Sequence, residues 1–405
     1  MCWQLDVNNK IQSIRKFSTL SKMAFTTLLN IQPSADLDQD EWDKAQNSLA
    51  DIFNAYGFNH LTIVNLPTCT NGHMTEKAEF LLMFCGDDGR NAVVQSCGPD
   101  LVTVNIQRVG NPIKHGKSFG DEDIEELQKK ISEVLKSNKS KRFPAIKRGG
   151  AVDCYVPTVD NRLIEYDFDR VVFDADSKYQ HVRIMHSPQY GNMLILDGDP
   201  NLAESDISYT KAITGNGREK FEDKTVLILG GGDGGILHEV LKEKPKFITM
   251  VEIDQVVIDA AIKHLRGICY NAMDSLRGPN YEVLVEDCIP ILETYIKEGK
   301  KFDYVINDLT AIPITTEARG SQWDFLRLIL QLSMKVLKSD GKYFTQGNGA
   351  IMKSALEMYE KQLQQLECDV EFSKETVCVP SYMEMWVFYE IWKVPPLKKK
   401  SDGSS

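Results

Sequence analysis

The stretch TVLILGGGDGG, residues 225–235, decides the fold. Four apolar residues that favour β-structure, from Val226 to Leu229, run directly into a cluster of glycines, and a helical pattern of apolar residues follows. A strand, a glycine-rich turn and a helix in this order open a nucleotide-binding α/β domain. Glycine has no Cβ atom, so this turn can be tight and its backbone can approach a ligand closely.

Asp233 indicates what kind of ligand this turn accepts. Gly230, Gly232 and Gly235 fit the dinucleotide-binding pattern, and Glu252 ends the next predicted strand. A pyrophosphate on this turn would meet the carboxylate of Asp233, and like charges at close range repel each other. Asp233 therefore favours a ligand that is cationic at this point, such as a sulfonium or an amine. The alternative is that Asp233 only caps the following helix.

Composition excludes several classes of protein. The chain has 405 residues and a net charge of −11, which suits two or three domains and disfavours a nucleic-acid-binding protein. The nine cysteines are scattered, with no C-x-x-C pair and no metal-ligand spacing, so we expect reduced thiols in the cytoplasm and no bound metal. No apolar run reaches the length of a membrane helix.

The patterns along the chain predict the domain organisation. Strands alternate with helices from residue 225 onward, which is typical of a mostly parallel, doubly wound sheet. Short alternating strands precede it, and a mixed α+β pattern comes before them. We expect a disordered leader at 1–26, an N-terminal α+β domain at 27–137, a linker at 138–150, a small antiparallel β domain at 151–202, a Rossmann-like doubly wound domain at 203–395 and a disordered tail at 396–405.

Acidic residues follow each of the first four strands of the predicted doubly wound sheet. They are Asp233, Glu252, Asp287 and Asp308. Ligands of such sheets bind outside the carboxyl ends of the strands, so these residues predict an acidic crevice. Glu252 is suited to accept hydrogen bonds from both hydroxyls of a ribose, and Asp287 from an exocyclic amine such as that of adenine.

Asp233 and Asp308 face each other across this crevice if the first and fourth strands are neighbours. Two carboxylates can then bracket a cation, or one can hold the cation while the other takes a proton. The alternative is that Asp308 begins a turn, with Asn307 and Thr310 as turn-forming residues.

The motifs GGGDGG, VEID, VEDC and FDYVINDLT together resemble the aminopropyltransferase family of spermidine and spermine synthases. The resemblance continues through SKYQHVRIMHS, MLILDGDPNLAESDISYT, KYFTQGN and VPSYMEMW, and it covers residues 150–393 densely. It implies a methyltransferase-like catalytic domain and an N-terminal domain that resembles S-adenosylmethionine decarboxylase in fold and builds a cytoplasmic homodimer. It also implies transfer of an aminopropyl group from decarboxylated S-adenosylmethionine, a co-substrate, to spermidine without any cofactor, giving spermine and methylthioadenosine.

The same resemblance assigns roles to residues. Asp308 matches the proton acceptor. The donor-binding positions are Gln180, Glu252, Asp287 and Cys288, and the polyamine-binding positions are Tyr209, Asp233, Tyr382 and Glu384. Tyr382 and Glu384 alternate along the strand-like SYMEMW, so we expect both side chains on one face, where they can hold a distal amine. The alternative is a surface tyrosine and glutamate on an edge strand.

Three features favour spermidine over putrescine as the acceptor. The N-terminal extension is long, Leu-Thr-Ala-Ile-Pro follows Asp308 where spermidine synthases carry Ser-Ser-Asp-Pro, and Glu384 adds a carboxylate. The alternatives are a spermidine synthase or an S-adenosylmethionine-dependent methyltransferase. A nicotinamide-dependent oxidoreductase shares the glycine pattern. A non-catalytic polyamine-binding protein would not need Asp308.

Overall fold

The computed structural model describes residues 23–35, 37–70, 73–110 and 119–394. They fall into two compact units, Met1–Asp153 and Cys154–Ser405. Most of the predicted leader and the whole of the predicted tail at 396–405 lie outside the described residues. The leader prediction was wrong at its end, because the first strand begins at Ala24 and pairs with a neighbouring strand there.

The first unit is an antiparallel sheet with two helices. Its elements are β1 (Ala24–Gln32), α1 (Gln39–Ala55), β2 (His60–Thr70), β3 (His73–Cys85), β4 (Asn91–Ser96), β5 (Val102–Val109), α2 (Asp121–Val134), β6 (Lys139–Arg142) and β7 (Ile146–Arg148). The strand order is β2-β3-β4-β5-β1-β6, and β7 also pairs with β1. Asp38 starts α1 with a capping box that includes Glu41. Apolar residues of both helices, such as Phe53 and Ile131, are fully buried in one core with the sheet.

Strands β6 and β7 correct the prediction of a linker at 138–150. Both pair antiparallel with β1, so this basic stretch belongs to the sheet of the first unit. All four side chains of β6 are exposed, which explains why the composition is that of a connector although the backbone is paired. A polar composition predicts that side chains are exposed, but it does not predict whether the backbone forms hydrogen bonds at the edge of a sheet.

The second unit begins with small antiparallel β structures. Its first elements are β8 (Tyr155–Pro157), β9 (Leu163–Glu165), β10 (Arg170–Asp176), β11 (His181–Ser187), β12 (Gly191–Leu196), β13 (Asp199–Ala203) and α3 (Ile207–Ile213). Strands β8 and β9 pair as a hairpin, and β10 to β13 form a four-stranded sheet in chain order. Helix α3 starts only at Ile207, because residues up to Ala203 still pair with β12.

A mostly parallel sheet of eight strands forms the rest of the second unit. Its elements are β14 (Thr225–Gly230), α4 (Gly235–Leu241), β15 (Phe247–Glu252), α5 (Gln255–His264), α6 (Arg266–Cys269), β16 (Arg277–Gly278), β17 (Tyr281–Val285), α7 (Cys288–Glu298), β18 (Phe302–Asp308), α8 (Ser321–Val336), β19 (Leu337–Gly349), α9 (Lys353–Leu363), β20 (Val370–Val379) and β21 (Glu384–Lys393). The order is β16-β17-β15-β14-β18-β19-β21-β20. Strand β14 pairs in parallel with β15 on one side and with β18 on the other, so the strand order reverses beside it.

Strand β14 is buried on both faces. Val226 and Ile228 belong to the apolar core on one side of the sheet, and Leu227 and Leu229 belong to the core on the other side. Burial of both faces explains why this strand is a continuous apolar run without polar alternation. Among the helices that the structure describes, none has the length and apolar character that a membrane crossing requires.

Candidate active site

The candidate site lies where β14 and β18 end side by side. Gly230 pairs with Asp308 across the two strands and has a φ of 79°. A Cβ atom on Gly230 would lie 2.9 Å from the carbonyl carbon of Asp308, so only glycine permits this approach. The first and fourth of the predicted strands, β14 and β18, are neighbours, which is the condition for Asp233 and Asp308 to face each other. Doubly wound sheets place their ligands at this kind of switch point.

Glu252 is the last residue of β15, and only 9% of it is exposed. Its Oε2 accepts a hydrogen bond from the backbone N–H of Gly232 at 3.1 Å, and its Oε1 accepts one from the backbone N–H of Asp254 at 2.9 Å. Burial raises the pKa of Glu252, and these backbone hydrogen bonds oppose the rise. Each oxygen keeps further accepting capacity, which suits paired ligand hydroxyls.

Asp233 is buried in the glycine turn, with 8% exposed. Its Oδ1 accepts a hydrogen bond from the backbone N–H of Gly235 at 2.8 Å, so the carboxyl does contact the start of α4. Burial raises the pKa of Asp233. The negative charge of Asp233 also raises the pKa of Asp308, so the two carboxyls interact electrostatically.

Asp308 ends β18 and is half-buried. Its Oδ1 accepts a hydrogen bond from the phenol of Tyr209 on α3. Burial raises the pKa of Asp308 to about 7, with smaller contributions from Asp233 and Glu252, and the bond from Tyr209 opposes the rise. The Asp308 side chain therefore bonds to a helix that is 99 positions away in the sequence. This contact differs from the alternative prediction, in which Asp308 only begins a local turn. At neutral pH this carboxyl can both accept and release a proton.

Tyr209 and Tyr382 form an aromatic wall. Tyr209 is 4% exposed, and burial together with the charge of Asp308 raises its pKa well above the ordinary value, so the phenol remains a donor. The ring of Tyr209 meets Tyr382 at 6.3 Å and Phe388 at 5.0 Å, both edge to face. Tyr382 also meets Trp386 at 4.9 Å. Edge-to-face rings make a rigid apolar surface.

The expected alternation of Tyr382 and Glu384 along one strand is wrong. Pro380–Tyr382 is a single 3₁₀ turn, Met383 has a left-handed φ of 55°, and β21 starts only at Glu384. Proline at the first position of the turn favours a helical conformation there. The Tyr382 phenol donates to the backbone oxygen of Asn201.

Glu384 instead meets Arg162 of the turn before β9. The Arg162 Nη2 atom lies 3.4 Å from Glu384 Oε2, and 22% of the Glu384 side chain is exposed. Burial raises the pKa of Glu384, while the charge of Arg162 opposes the rise. Nothing in the sequence pattern of SYMEMW indicates this partner, because Arg162 lies 222 residues earlier.

The residues matched to donor binding occupy the edge beside β15 and β17. Asp287 is exposed and caps α7, since its Oδ1 accepts from the backbone N–H of Ile289 at 2.9 Å. Cys288 is buried, and burial raises the pKa of its thiol to about 12, so it remains protonated at neutral pH. Gln180 donates to Asp254 Oδ2 at 3.0 Å.

Two buried carboxylates were not predicted as functional. Asp254 is 1% exposed, caps α5 and receives hydrogen bonds from Gln180 and from Ser177 Oγ at 2.7 Å, so it anchors the turn that carries Gln180. Asp206, also 1% exposed, accepts from the backbone N–H of Ser381 at 2.9 Å and its hydroxyl at 2.5 Å. The motif VEID contains Asp254, and its position just before a helical pattern was the only available signal.

The crevice is acidic. Within the part of the chain that the structure describes, no Lys or Arg nitrogen makes an ion pair with Asp233, Glu252 or Asp308. Among the same residues, no group of three His, Cys, Asp or Glu side chains is placed to hold a metal ion. Buried carboxyls without a paired cation are suited to a cationic ligand.

The sheet order and this crevice define a doubly wound α/β protein with an acidic ligand site at its switch point. Residues 206–401 match the profile of the spermine/spermidine synthase domain, and residues 155–204 match that of the spermidine synthase tetramerisation domain. A polyamine aminopropyltransferase of Pyrobaculum aerophilum is 33% identical over 51% of this chain and 69% of its own length. The chain therefore belongs to the spermine/spermidine synthase family.

Other relatives match over shorter stretches. A polyamine aminopropyltransferase of Hydrogenobaculum sp. is 32% identical over 45% of this chain, and the match spans only 61% of that relative's length. A spermine synthase of Saccharomyces cerevisiae is 33% identical over 41% of this chain and 56% of its own length. The crystal structure of spermidine synthase from Thermotoga maritima aligns with a TM-score of 0.46 at 23% identity, over 60% of this chain and 80% of that one.

Proposed function

We propose that this protein transfers the aminopropyl group of decarboxylated S-adenosylmethionine to spermidine, giving spermine and methylthioadenosine. The observation that carries the proposal is the pair Asp233 and Asp308, two carboxyls at the switch point that pair with no protein cation in the described part of the chain. Aminopropyl transfer brings two cations together, a sulfonium donor and a polyamine acceptor. An acidic crevice compensates the charge of both substrates.

The donor's nucleoside fits the edge beside β15 and β17. Glu252 would accept hydrogen bonds from the ribose hydroxyls, and Asp287 would accept one from the adenine amine. Cys288 and Gln180 would flank the nucleoside. Decarboxylated S-adenosylmethionine is favoured over S-adenosylmethionine because Asp233 would repel the carboxylate of the latter. This charge argument also disfavours a methyltransferase, which uses the intact donor.

The chemical step is an in-line displacement. A spermidine amine has an ordinary pKa of about 10.4, so it arrives protonated and cannot attack. Asp308 in its ionised form takes the proton, the amine nitrogen forms a bond to the carbon next to sulfur, and the C–S bond breaks. The electron pair of that bond stays on sulfur, so the sulfonium becomes a neutral thioether. Orientation of nitrogen, carbon and sulfur supplies much of the rate, with no covalent enzyme intermediate, cofactor or metal.

The acceptor would lie along Tyr209 and Tyr382, with its ammonium groups near Asp233 and Glu384. Methylene segments pack on aromatic rings, and ammonium groups pair with carboxylates. Glu384 supports spermidine over putrescine, since a longer amine has a further charge to place. A spermidine synthase that accepts putrescine is the second candidate, because most of the similar relatives are named only as polyamine aminopropyltransferases.

The assembly is also part of the proposal. We infer a cytoplasmic homodimer built through an N-terminal domain that resembles S-adenosylmethionine decarboxylase in fold. The match of residues 155–204 to a tetramerisation domain supports oligomer formation and offers a second contact region. Sedimentation of a shortened chain that starts near residue 150 separates the two. An unchanged dimer would place the interface in the second unit.

Product analysis by mass spectrometry tests the reaction. The purified protein is incubated with decarboxylated S-adenosylmethionine and either putrescine or spermidine. Spermine from spermidine, with no product from putrescine, is the expected result. Spermidine from putrescine would keep the mechanism and overturn the acceptor. No product with either amine would reject aminopropyl transfer and revive the methyltransferase and binding-protein alternatives.

A further inference from the structure

Arg162 lies between two carboxylates that hold it unequally. Its Nε atom donates to both oxygens of Asp160, at 3.0 and 2.8 Å, while its Nη2 atom reaches Glu384 Oε2 only at 3.4 Å. Asp160 is itself fixed by the hydroxyl of Thr158 at 2.6 Å. The guanidinium of Arg162 therefore keeps both hydrogen bonds to Asp160 when the Glu384 side chain moves away from it.

Glu384 depends on Arg162 for its charge partner. Arg162 is the only group that donates to the Glu384 side chain in the part of the chain that the structure describes. The carboxylate borders a backbone without a side chain, since a Cβ atom on Gly349 would lie 3.0 Å from Glu384 Oε2. Arg162 thus contacts Glu384 on one side, the backbone of Gly349 packs close to it, and 22% of the Glu384 side chain is exposed and accessible to a ligand.

We propose that Arg162 is a specificity-determining residue, an internal cation that competes with the distal ammonium of the acceptor for Glu384. The proposal rests on the proposed function, because it requires a polyamine acceptor at Glu384. An acceptor long enough to reach Glu384 replaces the long contact to Arg162 with its own ammonium. Arg162 then remains hydrogen-bonded to Asp160. Its positive charge stays close to the acceptor ammonium, and the repulsion between the two weakens acceptor binding.

This competition acts only on acceptors that are long enough to reach Glu384. A spermidine ammonium placed against Glu384 recovers the lost contact and adds a hydrogen bond. A shorter diamine that does not reach Glu384 leaves the pair with Arg162 intact and gains nothing there. Without Arg162, the Glu384 carboxylate attracts an ammonium that reaches it more strongly, so spermidine binds more tightly while a shorter diamine that does not reach Glu384 is unaffected.

The experiment compares spermidine binding and turnover in Arg162→Gln and Arg162→Lys. In Arg162→Gln we expect the KM for spermidine to fall about three- to fivefold, with the KM for decarboxylated S-adenosylmethionine unchanged. The Kd of spermidine, measured by calorimetry in the presence of methylthioadenosine, should fall by the same factor. Arg162→Lys keeps a cation at this point and should remain close to the wild type.

Two controls separate competition from a structural role. In a Glu384→Gln background, Arg162→Gln should no longer change the KM, because the contested carboxylate is absent. Arg183→Gln is the matched variant, since Arg183 has similar exposure and bonds an aspartate of the neighbouring strand at 2.8 Å. It should leave the KM for spermidine unchanged.

The outcomes distinguish this inference from the function on which it rests. The competition would be overturned if the wild type is active and the KM for spermidine is unchanged or raised in Arg162→Gln. Arg162 would then only stabilise the β8–β9 turn. A melting temperature that falls without any change in KM would likewise reject the competition. A wild type without transfer to any amine would overturn both the function and this inference.

Discussion

The two ends of strand β18 each carry an aspartate, and the two carboxyls meet opposite environments. Asp303, near the amino end, accepts from the backbone N–H and hydroxyl of Thr225 at 2.8 and 2.7 Å and from Lys338 Nζ at 2.8 Å. Burial acts to raise the pKa of Asp303, but these bonds outweigh it and lower the pKa. Asp308, at the carboxyl end, has a pKa raised to about 7.

The same contrast extends across the sheet. Near the amino ends, Lys342 pairs with Glu219 and Glu390, each at 2.5 Å. At the carboxyl ends, Glu252 and Asp308 have carboxyl neighbours and no protein cation in the described part of the chain. Acidic residues near the amino ends pair with protein cations, and those at the carboxyl ends have none in the described part of the chain, which favours a cationic ligand there. The difference marks the functional edge without reference to any relative.

The largest expected effect is on catalysis, and it should appear at one end of β18 only. Asp308→Asn removes the proposed proton acceptor, so we expect kcat to fall about a thousandfold, within the range of general base catalysis. Asp303→Asn is the matched control and should leave kcat within about threefold of the wild type. Rapid-quench single-turnover measurements check both. Near-normal turnover in Asp308→Asn would remove this residue from the mechanism.

The second prediction is that the same two substitutions change stability in opposite directions. Asp303→Asn leaves Lys338 without its charge partner, so the free energy of unfolding should fall by about 1–3 kcal/mol. Because the folded state raises the pKa of Asp308, the stability associated with this carboxyl is present below its unfolded pKa of about 3.9 and is lost as the pH rises through about 7. Asp308→Asn should therefore be more stable than the wild type by about 2 kcal/mol at pH 8 and by less at pH 5.

Urea unfolding at the two pH values measures these differences. Methylthioadenosine must be absent, since a ligand would stabilise the folded state by mass action. A loss of stability in both variants at pH 8 would mean that Asp308 is as well compensated as Asp303, and the contrast between the two ends would disappear.

The third prediction concerns the pH dependence of turnover. Asp308 must be ionised to accept a proton, and its pKa is about 7. Turnover should therefore rise about tenfold per pH unit below that value and level off above it. Asp233→Asn removes the charge that contributes most to raising the pKa of Asp308, so the midpoint should move to lower pH. A profile that is flat between about pH 5.5 and 8.5 would contradict the assignment of Asp308 as the titrating base.

The smallest expected effect is at the far end of the acceptor. Glu384→Gln removes one charge from a partly exposed carboxylate, so we expect the KM for spermidine to rise about five- to tenfold. The KM for decarboxylated S-adenosylmethionine should stay within about twofold, because the proposed donor site lies at the edge beside β15. Initial-rate kinetics with each substrate varied separately provide the measurement. Equal losses for both substrates would place Glu384 outside the acceptor site.

Local patterns predicted the doubly wound sheet and the four acidic strand ends. The apolar run of residues 226–229 is buried on both faces, and such burial leaves a direct trace in composition. The predicted positions of Glu252 and Asp308 as strand termini are confirmed. The end of a buried strand can be recognised from the sequence, because its apolar run stops at a glycine or a polar residue. A strand whose side chains are all exposed has no apolar pattern in its sequence, and the linker prediction at 138–150 was wrong for that reason.

The sequence by itself determined which residues could do chemistry, and the tertiary structure decided which of them meet. It brings Tyr209 to Asp308 and Arg162 to Glu384 across 99 and 222 positions of the chain. It also turns Tyr382 out of the expected strand. Side-chain pairing over such separations depends on how strands order and helices pack, and the pKa of Asp308 depends on burial and neighbouring charge. Neither quantity exists until the chain is folded.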